Sequence, residues 1–303
     1  MNTIIFEAEG LSKQYGRAAA LQNINMQIQK GDIYGLVGEN GAGKTTLMKI
    51  ISGLVYPTKG SFQLLGKSSE KDIARVRRKM GILIEHPALY PHMNAAESLR
   101  FYCKIYGITD SDRIKNVLNL VGLTDAEHKN TSDYSLGMRQ RLGLAIALLN
   151  EPEFIVLDEP INGLDPTGIV EMRKLLAKLV HEKGVTILIS SHILSELQLL
   201  ATKFGFIHKG QFIKEVSVEE LMQSAETQIC IKTVEVEAAI NVLKNDLNIH
   251  SSTLSASGEI LIPRDLIDLE QLMSTLIRQG VPLEGISLST ANLEHYYMDL
   301  IGE

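Results

Sequence analysis

The chain has 303 residues, of which 45% are hydrophobic and 22% charged, with a formal net charge of −6. That balance suits a globular protein with a sizeable core and argues against a nucleic-acid partner, whose binding needs a basic face. Two cysteines, Cys103 and Cys230, lie far apart in apolar stretches and read as buried free thiols, not as a metal or disulfide framework.

From the N-terminus, Met1-Asn2-Thr3-Ile4-Ile5-Phe6-Glu7 has no basic region and turns acidic, so it does not read as a signal peptide. No apolar run approaches the ~18 residues of a spanning helix. The longest, Leu142–Leu149 and Val185–Ile189, have the length of core elements. The first thirty residues read as short alternating β segments around a turn at Gly16. Asp32–Val37 then reads as a strand, Gly43–Ile51 as a helix and Gly81–Ile84 as a strand. Phe154–Leu157 and Val185–Ile189 are continuous apolar runs, the pattern of strands covered on both faces of a parallel sheet. Between them Ile169–Lys183 has helical spacing, with Ile169, Met172, Leu175, Leu176 and Leu179 on one side. Strand, helix, strand is an α/β order.

The texture changes after residue 217, which sets the expected domains at 1–217 and 218–303. Gln228–Val234 reads as a strand and Glu235–Leu247 as a helix. His250–Leu254 with Glu259–Ile262 reads as a hairpin, Asp265–Gln279 as a helix, Leu283–Ser289 as a strand and Leu293–Ile301 as a helix. The βαββαβ order predicts a small ferredoxin-like α+β domain.

Gly38-Glu39-Asn40-Gly41-Ala42-Gly43-Lys44-Thr45, followed by Thr46, fits G-x-x-x-x-G-K-[ST] between a strand and a helix. Glycines there let successive N–H groups turn toward phosphate oxygens, and the helix N-terminus favours the anion. The lysine reaches the β and γ phosphates, and the Thr45 hydroxyl ligates Mg²⁺. ATP and Mg²⁺ are therefore the expected ligands. Phe154-Ile155-Val156-Leu157-Asp158-Glu159 is an apolar strand ending in two carboxylates, at the strand end where ligands of such sheets bind. Asp158 is placed for the Mg²⁺ shell, and Glu159 for a general base on water.

With these motifs in order, residues 4–217 resemble the ATP-binding subunits of ABC transporters. Tyr134-Ser135-Leu136-Gly137-Met138-Arg139-Gln140-Arg141 resembles the signature Leu-Ser-Gly-Gly-Gln, matching at Ser135 and Gly137. The resemblance implies that these two bind the γ-phosphate held by a second copy. A plain helix cap by Ser135 is the alternative. Asn162-Gly163-Leu164-Asp165 resembles the D-loop, with Asp165 its aspartate, and Ser190-Ser191-His192 the switch histidine, which implies that His192 contacts the γ-phosphate. Tyr15 falls where the family stacks an aromatic on adenine, or else packs a turn.

Glu85 stands where the family carries Gln, and a carboxylate there is a candidate metal ligand or a surface glutamate. Glu85, with Pro87, Leu89 and Tyr90, is similar to the bacitracin-resistance and lantibiotic-immunity branch. So are Ser190–Glu196, Asn162–Pro166, Asn292–Gly302 and the C-terminal extension. The resemblance implies an antimicrobial-peptide exporter. Its catalytic residues would be Glu159, His192 and Lys44, and its partners a second copy and an integral membrane permease. Its place would be the cytoplasmic face of the cell membrane. A soluble ATPase switch without a permease is the alternative, and a nucleotide sensor that never hydrolyses is a third reading that Glu159 disfavours. Arg75–Lys79 reads as a solvated basic helix face. His86 and His92 have no cysteine or carboxylate at ligand spacing. The aromatics of Leu89–Tyr106 read as permease contact or core.

Overall fold

The computed structural model describes residues 3–302 apart from 86, 225–227, 256–257 and 290–292. Met1, Asn2, His86 and Asn292, named above, lie outside the described residues. Contacts divide the chain into two compact units, Met1–Val218 and Glu219–Glu303.

The first unit is built on a nine-stranded sheet. It opens with β1 (Ile4–Tyr15) and β2 (Ala18–Gln29), two long antiparallel strands whose register shifts several times. The expected short segments are thus one long bulged hairpin, because bulges break the alternation that marks a strand without ending the pairing. β3 (Ile33–Val37) leads into α1 (Lys44–Ser52). β4 (Lys59–Leu64), α2 (Glu70–Val76) and β5 (Met80–Leu83) follow. Then come three helices, α3 (Ala95–Tyr106), α4 (Arg113–Leu120) and α5 (Leu136–Leu148). The return to the sheet is β6 (Phe154–Asp158), α6 (Pro166–Lys183), β7 (Thr186–Ser190), α7 (Leu194–Gln198), β8 (Lys203–His208) and β9 (Gln211–Ser217).

The strand order is β4-β1-β2-β9-β8-β3-β7-β6-β5. β5, β6, β7, β3 and β8 run parallel, while β1, β2 and β4 form the antiparallel portion. Every residue of β3, β6 and β7 is buried, which is why these segments are mostly apolar, with Asp158, Thr186 and Ser190 the polar residues at the strand ends. β3 lies between β8 and β7 inside the parallel part, so α1 and the loop before it start from an interior strand of the sheet.

After α8 (Val218–Ser224), whose first residue ends the first unit, come β10 (Gln228–Thr233), α9 (Val236–Asn245), β11 (Thr253–Leu254) and β12 (Ile260–Pro263). The second unit closes with α10 (Leu269–Arg278), β13 (Leu283–Ser289) and α11 (Leu293–Ile301). Its four strands are all antiparallel in the order β11-β12-β10-β13, which is the ferredoxin-like arrangement. Ile229, Ile231, Ile260 and Ile262 form its core with Leu243, Leu272 and Leu276 of the helices. The helix expected from Asp265 instead starts at Leu269, because Asp268 caps it by accepting from Glu270 N.

Candidate active site

The loop from Gly38 to Gly43 joins β3 to α1 and is pressed onto the turn between β8 and β9. A Cβ on Gly38 would lie 2.3 Å from the Ile207 carbonyl oxygen, and one on Gly43 2.7 Å from that of Ala20. Gly210 N also donates to Ala42 O at 2.9 Å. Gly41 and Gly43 take positive φ, 82° and 111°, as tight reversal requires. Gly43 caps α1 with no side chain, so the helix N-terminus is open to an anion.

Lys44 is buried. Its Nζ donates to the carbonyls of Gly38 at 2.6 Å and Glu39 at 3.0 Å. Burial pulls its pKa below the usual lysine range, and the charges of Glu159, Asp158 and Glu39 oppose that shift. A buried ammonium held mainly by carbonyls, under a glycine cradle a Cβ would fill, fits a polyphosphate. Thr45 Oγ1 donates to Asp158 Oδ2 at 2.7 Å. A hydroxyl and a carboxylate oxygen are the hard donors Mg²⁺ takes when phosphates and waters complete its shell. Thr45 and Asp158 are the two such donors joined here by a hydrogen bond.

Asp158 and Glu159 end β6. Ser190, at the end of β7 and in register with Asp158, donates to Asp158 Oδ1 at 2.6 Å and accepts from Glu159 N at 3.0 Å. Glu159 has φ 50°, which turns the chain out of the strand. Its Oε2 lies 3.1 Å from His192 Nδ1 and accepts from Asn162 Nδ2 at 3.2 Å. Lys44, Thr45, Asp158, Glu159 and His192 are thus brought to one sheet edge.

The other candidates stand in different contacts. Ser135 caps α5, accepting from Met138 N at 3.2 Å, and Asp165 caps α6, accepting from Gly168 N at 3.2 Å. A Cβ on Gly137 would lie 3.6 Å from the Leu164 side chain and one on Gly163 2.8 Å from that of Leu136, so the Ser135 and Asp165 segments lie close together. Tyr15 is exposed at the end of β1, with Lys13 over its ring at 5.0 Å. Glu39 and Asn40 are exposed, and Thr46 is half-buried. Glu85 pairs with Lys49 Nζ at 2.7 Å.

Sequence reading gave four residues no part in holding the site. Ser190 and Asn162 hold the carboxylates and Lys49 holds Glu85. Arg77, read as part of a solvated face, is half-buried instead. It donates to Ile51 O at 3.0 Å and Ile50 O at 3.1 Å, finishing the last turn of α1, and burial lowers its pKa. Its neighbours Arg75, Arg78 and Lys79 are exposed as expected.

A family model described as ABC transporter matches residues 21–162. The bacitracin transport ATP-binding protein BcrA of Enterococcus faecalis is 39% identical over 298 residues, 98% of this chain and 96% of that protein.

The chain belongs to the ABC transporter ATP-binding family.

The lantibiotic transport ATP-binding protein SrtF of Streptococcus pyogenes is 45% identical over 212 residues, 70% of this chain and 90% of that protein. Among solved structures, the dimeric post-hydrolysis state of the ATP-binding cassette MJ0796 bound to ADP and Pi has a TM-score of 0.64 at 24% identity. It covers 71% of this chain and 99% of that one, and carries the fold assignment alone. This ABC cassette is a nucleotide-binding ATPase subunit of a transporter, and no described helix is long and apolar enough to cross a membrane.

Proposed function

We propose that this chain is the cytoplasmic motor of an exporter of antimicrobial peptides of the bacitracin or lantibiotic kind, working as a head-to-tail pair beneath a membrane permease. The observation that carries the catalytic reading is the run of hydrogen bonds from Thr45 through Asp158 to Ser190, with Glu159 next in chain. It supports reading Thr45 and Asp158 as the metal-binding pair and Glu159, beside them, as the base.

Mg²⁺ bound there would neutralise phosphate charge and orient the γ-phosphate. The chain's own residues do the rest. Gly38–Gly43 present backbone N–H groups, Lys44 offsets phosphate charge, and Thr45 and Asp158 hold the metal. Glu159 takes a proton from the attacking water, with His192 and Asn162 fixing its carboxylate. Tyr15 offers a face to the adenine. Ser135, Gly137 and Asp165 stand apart from the phosphate loop's own contacts, which supports their acting on the nucleotide of a second copy.

The cargo reading rests on the relatives. BcrA matches this chain along both units, so the likeness extends to the C-terminal one. A surface for the permease is supported by a groove of about 570 Å³ lined by Arg77, Ile82, Ile105 and Tyr106. The half-exposed rings of Tyr90 and Phe101 meet edge to face nearby in sequence.

Steady-state ATP turnover of the purified chain tests the reading. Glu159→Gln is expected to abolish turnover, keep ATP binding and trap a dimer on size exclusion. Unchanged turnover in that variant sinks the role given to Glu159. Unchanged bacitracin and lantibiotic susceptibility in a deletion strain sinks the cargo.

A further inference from the structure

The ends of β5 and β6 carry carboxylates in matching places. These strands pair in parallel up to Leu83 and Leu157. Glu85 and Glu159 each follow two residues later, and both take left-handed backbone, φ 62° and 50°. Left-handed conformation costs a non-glycine residue strain, so both positions are held by their surroundings. With Asp158 ending β6, three carboxylates close these two neighbouring parallel strands, and Lys49 feels the charge of both Glu85 and Asp158. Like charges so placed repel both one another and the nucleotide.

Two lysines of α1 answer them. Lys44 lies in the field of Glu159 and Asp158. Lys49 meets Glu85, Nζ to Oε1, at 2.7 Å. Lys49 is one helical turn beyond Thr45, hence on the same side of α1, and it also lies in the field of Asp158 and Tyr15. The Lys49 and Glu85 side chains are 32% and 65% exposed. Ion pairs that exposed add little to folding, so this contact is no staple of the fold.

We propose that Lys49 is a positioning residue for Glu85: it draws this carboxylate onto the phosphate-loop helix and offsets its charge, which lets the site bind nucleotide with a glutamate at that strand end. The inference rests on the nucleotide site proposed above. It makes the glutamate and the lysine a unit, in which losing the lysine matters only while the glutamate is present.

A double-mutant cycle on the full chain tests this. The affinity of a fluorescent ATP analogue is measured with and without Mg²⁺ for the wild type, Lys49→Gln, Glu85→Gln, the double variant and Lys49→Arg, together with KM and kcat. Lys49→Gln is expected to weaken binding about three- to fivefold, the range of an exposed charge pair. High salt should shrink the loss. The double variant should bind within about twofold of Glu85→Gln, and Lys49→Arg should keep wild-type affinity. Thermal midpoints should stay together, which separates positioning from folding. The same loss from Lys49→Gln in both backgrounds, or no loss at all, overturns the proposal while leaving the nucleotide site standing. Failure of the wild type to bind the analogue overturns both.

Discussion

Thr45 on α1 and Asp158 at the end of β6 are 113 residues apart in the chain, yet the Thr45 hydroxyl donates to Asp158 Oδ2 at 2.7 Å. The sheet order makes this contact possible, because β3 and β6 both flank β7 and run parallel. Their C-terminal ends therefore finish on one edge, and the helix following β3 starts opposite the carboxylate finishing β6.

Ser190 is the brace behind that pair. Ser190→Ala leaves Asp158 Oδ1 and Glu159 N–H short of a partner in a buried place. The expected cost is about 1–3 kcal/mol of stability. Turnover should fall and need more Mg²⁺, since Asp158 loses its orientation. Urea unfolding and an Mg²⁺ titration of ATPase activity check both parts. Full activity at wild-type Mg²⁺ would remove Ser190 from the site.

The glycines of the phosphate loop separate into two kinds. Gly38→Ala drives a Cβ to 2.3 Å from the Ile207 carbonyl, so backbone must move and nucleotide binding should be lost. Overpacking of that sort costs about 1–3 kcal/mol. Gly41→Ala meets nothing within 4 Å and bears only the strain of φ 82°, about 1–2 kcal/mol. Equilibrium binding and melting curves for the two variants should rank Gly38→Ala as the worse in both.

Buried Tyr34 donates to Glu215 Oε2 at 2.7 Å. Burial first, then the charge of Glu215, raises its phenol pKa well above the usual value. The folded state thus keeps a proton that the unfolded chain gives up above pH about 10. Unfolding then releases protons in that range, so this contribution is whole below pH about 10 and is lost as pH rises beyond it. Tyr34→Phe should flatten the alkaline fall in stability and lower stability at pH 7 by about 1–3 kcal/mol through the lost hydrogen bond. Unfolding midpoints across neutral to alkaline pH measure both.

Arg77 closes the last turn of α1 through Ile50 O and Ile51 O. Arg77→Gln should cost about 1–3 kcal/mol, read by thermal or urea unfolding. Arg77→Lys should recover only part of the loss, because one ammonium cannot reproduce the two-pronged geometry. A neutral outcome for Arg77→Gln would return Arg77 to the solvated face.

The sequence by itself determined the features that depend on neighbours in the chain. Gly38–Thr45 between a strand and a helix, the carboxylates closing Phe154–Asp158, and the buried runs of β6 and β7 all follow from local spacing and residue type. Those are short-range properties, so they are legible without a fold. The tertiary structure alone decided the partners. Ser190 braces Asp158 because β6 and β7 pair in one register, and Lys49 meets Glu85 because α1 packs against β6, the neighbour of β5. Arg77 leaves its basic run to cap a distant helix. No spacing rule encodes these contacts, since each joins segments whose meeting depends on the order of strands in the sheet. The phosphate loop was readable from eight residues, but the counter-charges around it exist only once the sheet is assembled.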